Sequence, residues 1–247
     1  MDRLIYTSMT GASHILNQQA AVAENLSNNN TPGFRAALNT FRSVPLRGEG
    51  LPTRDFVVDA TSGTDFSTGV LQPTGRPLDV AINGSGWLSV QTPDGKEAYT
   101  RNGSFQLSPN GVLQTRTGLD VVGEGGTITI PPNTEVAIGK DGTISTVPTG
   151  NTPATVQVIG RLKLVNPPES QMVRGDDGLF RQKNGQVADA DPAVEAVAGN
   201  IESSNVNVVD AMVNMITLSR QFDMQMKMLQ NADTNARQAS QIFSIAG

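Results

Sequence analysis

Residues Asn205 to Phe243 constrain this chain more than any other stretch. Stepping from Val208 by four and three in turn meets Met212, Met215, Ser219, Phe222, Met226, Leu229, Asp233, Ala236, Ser240 and Phe243. Eight of these eleven positions are apolar, and the residues between them carry most of the Asn, Gln, Arg, Lys and Asp. Apolar side chains recurring about every 3.5 residues line one side of a helix, so the spacing predicts a long helix with a narrow apolar seam. Asn207, with Asp210 three residues on, offers an N-cap and an acidic group for the first turn.

The other end of the chain repeats the pattern. Ile5, Met9, Ala12, Leu16, Gln19, Ala23 and Leu26 follow the same alternation, and six of the seven are apolar. The polar run Ser27-Asn28-Asn29-Asn30-Thr31 then dissolves it, and Pro32-Gly33 closes it. Laying the two seams side by side is the simplest way to dry both, and it brings the termini together. Two seams alone bury too little apolar surface to offset the conformational entropy lost on ordering. The ends are therefore expected to order only when neighbouring copies cover their remaining faces.

Between the helices the texture is different. Residues 35–76 are broken by Pro45, Pro52 and Pro73 and by several glycines, and read as an extended arm with one β-hairpin around Phe56-Val57-Val58. From Pro77 short alternating runs appear, such as Leu78–Ile82, Trp87–Val90 and Ser104–Leu107, punctuated by Asp94-Gly95, Asn102-Gly103, Asn110-Gly111 and Asp141-Gly142. Such pairs supply the positive φ of tight hairpins, so an antiparallel β domain is expected. The expected fold is α+β: long N- and C-terminal helices packed as a coiled-coil-like stalk, with an inserted antiparallel β domain. Its parts are an N-terminal helix (1–34), an arm (35–76), a β-rich outer domain (77–198) and a C-terminal helix (199–247).

Little in the chain suggests chemistry. A net charge of −5 without any basic block argues against nucleic acid, and no run approaches the ~18 apolar residues of a membrane span. There are no cysteines, and Met1-Asp2-Arg3 lacks the features of an ordinary secretory signal. His14 is the only histidine, so a two-His zinc site and a His-based triad are out of reach. Gly123–Gly126 has the glycines of a phosphate loop without the following Lys-Ser/Thr, and a turn is the better reading. Asp79 with Asp94, or Asp176 with Asp177, are the carboxylate pairs a glycosidase would need. Turn-stabilising Asp before Gly accounts for Asp94, Asp141 and Asp177 equally well. Five methionines between Met212 and Met228 read as adaptable packing rather than thioether metal ligands. No cofactor is expected.

Three stretches carry a resemblance. Asn25-Leu26-Ser27-Asn28-Asn29-Asn30-Thr31-Pro32-Gly33-Phe34-Arg35 is similar to the N-terminal signature of the axial proteins of the bacterial flagellum, rod and hook alike. Leu78–Trp87 and Tyr99–Phe105 resemble their central motif, and Glu202-Ser203-Ser204-Asn205-Val206-Asn207-Val208 with Met212 resembles their C-terminal signature. The matches fall in order and span nearly the whole chain. The length is too short for the hook protein and too long for rod subunits lacking a full β domain.

The resemblance implies a structural subunit of the proximal rod, without catalysis, whose terminal helices pack with many copies into a torque-transmitting inner tube. The seam residues named above would then be the assembly interface. The motif residues would be Asn25, Asn28, Thr31, Pro32, Gly33, Phe34, Ser204, Asn205 and Val206. Implied partners are other copies, other proximal and distal rod subunits, and the flagellar type III export apparatus, which delivers such subunits to the periplasm without a cleaved signal. The distal-rod protein of the same family is the near alternative. A secreted β-rich protein that binds or cleaves glycans, and a coiled-coil adaptor, are the alternatives of other classes.

Overall fold

The structure, a computed structural model, describes the backbone of residues 2–45, 55–149 and 155–245. It divides into two units. The first takes both ends of the chain together with Ala36–Asp65, and the second takes Asn29–Arg35 and Phe66–Asn205.

In the first unit, helix α1 (Asp2–Ser27) lies against helix α2 (Val208–Ile245). Beside α1 runs an antiparallel pair, β1 (Ala37–Pro45) and β2 (Asp55–Thr64), with a bulge between Thr40 and Phe41. The Asn25 side chain joins helix to strand: its Nδ2 donates to the Ala37 carbonyl at 2.9 Å and its Oδ1 accepts from the Ala37 amide at 2.8 Å. At the start of α2 the Asn207 Oδ1 accepts from the Val209 and Asp210 amides, so two of the four orphan donors of the first turn are satisfied.

The expected pair of long coiled-coil-like helices at both ends is not what folds. Only α2 is long, at 38 residues; α1 has 26, and its unit includes the β1–β2 pair. The faces turned inward are also not the expected seams. On α1 the less exposed row is Ile5, Ser8, Ala12, Ile15, Gln19, Val22 and Leu26. On α2 it is Val208, Ala211, Met215, Leu218, Phe222, Gln225, Leu229, Ala232 and Ala236. Every second expected position has slipped by one residue, a rotation of about 100° around the helix.

The reason is steric. Of the five well-buried residues of these rows, four are small (Ser8, Ala12, Ala211 and Ala232) and the fifth is Ile15; Gln225 reaches over Gly11, whose absent Cβ would lie 3.5 Å from the amide group. Small side chains let helix backbones approach closely, whereas Met9, Leu16 and Met212 would hold them apart. A coiled coil needs large knobs at every step, and here small or polar residues (Ser8, Ala12, Gln19, Ala211, Gln225 and Ala232) interrupt the larger ones. Most of the chain belongs instead to the β-rich second unit.

The second unit is built around one nine-stranded antiparallel sheet. Its path runs Met172–Arg174, Phe180–Gln182, Glu97–Thr100, Trp87–Gln91, Asp120–Gly123, Leu113–Thr115 and Phe105–Leu107. Two short strands, Leu164–Val165 and Gly126–Thr127, branch from it. A three-stranded sheet follows (Thr134–Ile138, Thr143–Pro148, Gln157–Arg161). Two ribbons complete the unit: Val80–Asn83 pairs with Glu195–Ala198, and Leu71–Pro73 with Asn200–Glu202.

Period-two alternation explains the core. Val80 and Ile82, Leu88 and Val90, and Phe105 point inward and are joined by Leu113, Val121, Ile144 and Leu162. A second cluster gathers Trp87, Tyr99, Met172 and Phe180, with the Trp87 and Phe180 rings 4.5 Å apart and Phe66 edge-on to Trp87. Phe105 is fully buried in the main cluster. Phe105→Ala is expected to cost about 3–5 kcal/mol, read as a lower urea midpoint with an unchanged slope.

Candidate functional site

Three distant parts of the sequence meet on Glu202. Arg35 closes the Asn25–Arg35 stretch, Arg101 sits in Tyr99–Phe105, and Glu202 opens the C-terminal motif. Arg101 Nη1 donates to Glu202 Oε2 at 2.9 Å, and Arg35 Nη1 stands 2.6 Å from Oε1. The Arg35 contact is charge against charge, without the alignment of a hydrogen bond. All three side chains are at most 3% exposed. The backbone completes the cluster: Gly69 N–H donates to Glu202 Oε1 at 2.8 Å, and Arg101 Nη2 donates to the Gly84 carbonyl at 2.7 Å. Arg101 also stacks over Trp87 at 5.4 Å. Burial pulls Arg101 below the usual arginine range, against the opposing pull of Glu202.

The motif residues shape the backbone around this cluster. Gly33 holds φ +69° and donates its N–H to the Glu202 carbonyl at 2.8 Å. A Cβ there would fall 2.3 Å from the Arg101 carbonyl carbon, so only glycine fits. Phe34 is buried beneath the guanidinium of Arg174, 4.6 Å from its ring, and its carbonyl accepts from the Asn205 amide at 3.4 Å. Asn205 Nδ2 donates to Ser67 O at 3.0 Å. Asn28 donates to the Glu24 carbonyl at the end of α1, and the Thr31 carbonyl accepts from the Phe34 amide. Pro32, Ser204 and Val206 are half-buried. Gly103, expected in a hairpin turn, instead makes a close approach: its Cβ would lie 1.7 Å from the Val80 carbonyl oxygen.

The residues expected to form the assembly seam divide between two faces. Ile5, Ala12, Leu26, Val208, Met215, Phe222 and Leu229 belong to the inward rows, and so does the polar Gln19. Met9, Leu16, Ala23, Met212 and Met226 are exposed, as are Ser219 and Asp233. Asp233 pairs with Arg237 one turn on. The side chains of Ser240 and Phe243 lie outside the described residues. Sequence reading passed over the rest of the outward apolar face. Val209, Met212, Val213 and Ile216 stand at i, i+3, i+4 and i+7, so they share one side of α2, each at least 50% exposed. Tyr6, Met9 and Leu16 do the same on α1.

The carboxylates considered for hydrolysis are engaged elsewhere. Buried Asp79 accepts from Thr74 and Ser104. Arg181 grips Asp177 and holds it below the usual carboxylate range, while the Thr143 hydroxyl does the same to exposed Asp141. A carboxyl held ionised in this way is a poor general acid. Among the described residues no three His, Cys, Asp or Glu gather as metal ligands, and no helix is long and apolar enough to cross a membrane.

The molecule combines a β-rich unit holding one buried ion cluster with a helical unit that leaves large apolar side chains exposed on both helices. Residues 5–35 match the family described as flagella basal body rod protein. Residues 81–146 match the flagellar hook protein FlgE/F/G D1 domain, and 197–242 the flagellar basal body rod FlgEFG protein C-terminal region. The chain is 49% identical to the flagellar basal-body rod protein FlgF of Escherichia coli K12 over 252 residues, covering both chains completely. Identity to FlgF of Salmonella typhimurium is 48%, again over the whole of both chains, and to FlgF of Caulobacter vibrioides 31% over 97% of each. A FlgG of Buchnera aphidicola is 33% identical over 96% of this chain and 98% of its own. The chain belongs to this family of flagellar basal-body rod proteins, structural subunits of the bacterial flagellum.

Removing the shared carboxylate leaves two buried guanidinium groups without their counter-charge. Glu202→Gln is expected to destabilise the β-rich unit by about 3–5 kcal/mol, measured by denaturant unfolding followed at Trp87. Unfolding within about 0.5 kcal/mol of the wild type would show that the cluster is not what closes the unit.

Proposed function

We propose that the protein takes its place in the proximal part of the flagellar rod by burying the outward faces of α1 and α2 against neighbouring copies and other rod subunits. The supporting observation is the row Val209, Met212, Val213 and Ile216, all exposed on α2. A stripe of large apolar side chains on one helix face gains from being covered, and methionines adapt to neighbours that differ in shape. Tyr6, Met9 and Leu16 offer α1 for the same purpose. The terminal helices then form the inner wall of a tube that carries torque.

On this reading the subunit works by binding alone, without catalysis or a cofactor, and the engaged states of Asp79, Asp141 and Asp177 support that. It reaches the periplasm through the flagellar type III export apparatus. The proximal position is favoured over the distal one by the 49% and 48% identities to FlgF, against 33% to a FlgG.

Charges placed on the outward stripe test the proposal. Met212→Asp combined with Ile216→Asp should leave monomer stability within about 0.5 kcal/mol per site, because both side chains are exposed. In a strain lacking the native gene, the variant should be exported but fail to restore rods in isolated basal bodies, and cells should not swim. Normal swimming and intact rods would overturn the reading.

A further inference from the structure

The Glu202 cluster is formally one negative charge short. It sets two guanidinium groups against one carboxylate, all at most 3% exposed. Among the described residues, the buried Arg101 Nε–H meets no acceptor, nor do Nε and Nη2 of Arg35. A buried unpaired donor of this kind is costly, and more so when charged. Beside Arg101 lies a cavity of about 170 Å³. Its lining includes the Arg101 side chain itself, the Gly84-Ser85-Gly86 loop, the ring of Trp87 and, from the 3₁₀ turn Glu169–Gln171, Glu169.

We propose that this cavity is a carboxylate site, filled by a single acidic group that pairs with Arg101. The excess positive charge calls for an anion, and Arg101 lines the cavity. A cavity well below the ~300–1,000 Å³ of drug-sized ligand sites admits only a small one. One excess positive charge is balanced by a monoanion, whereas a doubly charged phosphate would overshoot. Guanidinium edges match the planar carboxylate in particular. Ser85, exposed and without a hydrogen bond among the described residues, places a hydroxyl donor on the same wall. Glu169, exposed on that wall, already acts on Arg101 through its charge, so it competes weakly for the place. The acid is either a free small carboxylate or an Asp or Glu side chain of a neighbouring subunit, and both use the same contact.

Trp87 is the only tryptophan in the chain and lies under Arg101, so its fluorescence reports on the cavity directly. The full-length protein is titrated at constant ionic strength with sodium acetate replacing chloride, and in parallel with the blocked amino acid N-acetyl-aspartate methylamide. Trp87 emission should change saturably with either probe, and Glu169→Gln should bind about threefold more tightly by losing a competing exposed charge. Tighter binding of the blocked aspartate than of acetate marks a side chain as the natural occupant, and the reverse marks a free acid. Ser85→Glu places a tethered carboxylate at the mouth, so that variant should melt at a higher temperature and stop responding to acetate. Ser85→Gln should respond as the wild type does. The site is disproved if Trp87 fails to respond in the wild type and in Glu169→Gln, or if Ser85→Glu titrates like the wild type.

Discussion

One carboxylate holds the β-rich unit to both of its distant sequence contributions. Glu202 meets Arg35 near the start of the chain and Arg101 in its middle, and its carbonyl accepts from Gly33. In bulk water such charge pairs are worth little; here nearly all water has been removed, so each partner depends on the others. Well-packed apolar residues in place of such a cluster are often neutral for stability, so its contribution lies in specificity. It admits Asn29–Arg35 in one register only, because Gly33 fits against the Arg101 backbone with no room for a side chain. Arg35, Arg101 and Glu202, one from each matched family segment, thus meet at one point.

The helical unit follows the opposite logic. Its internal contact mixes small residues, Ser8, Ala12, Ala211 and Ala232, with larger ones such as Ile15, Met215, Leu218 and Phe222, while a second set of large apolar side chains, Met9, Leu16, Met212 and Ile216 among them, stays exposed. The β1–β2 pair adds a further contact on α1 through Asn25, whose amide imitates a backbone unit by both donating to and accepting from Ala37.

Much of the β structure was legible in the sequence. Runs such as Trp87–Val90 and Ser104–Leu107 do form strands, although neither alternates cleanly in burial: Trp87 to Val90 are all buried, and Leu107 is exposed. The N-cap at Asn207 was legible too, because capping depends only on neighbouring residues. The helix faces were not. Stepping four-then-three and three-then-four share every seventh position, and apolar residues occupy both tracks, so periodicity could not tell Met212 from Ala211. Choosing between them depends on how closely the partner helix approaches, which is tertiary information. The ion cluster was hidden for a similar reason: Arg35, Arg101 and Glu202 are unremarkable one at a time, and only their burial inside matched motifs marks them. The hairpin reading at Asn102-Gly103 failed because glycine serves tight turns and close backbone contacts alike, and the sequence does not say which.

The arrangement around Glu202 also has a temporal consequence. Arg101 and Glu202 are 101 residues apart, and Arg35 is further still. A chain delivered from its N-terminus therefore leaves both arginines waiting until its last quarter emerges, since long loops must close before their contacts give any return. The cluster therefore closes late, after the loops between its members.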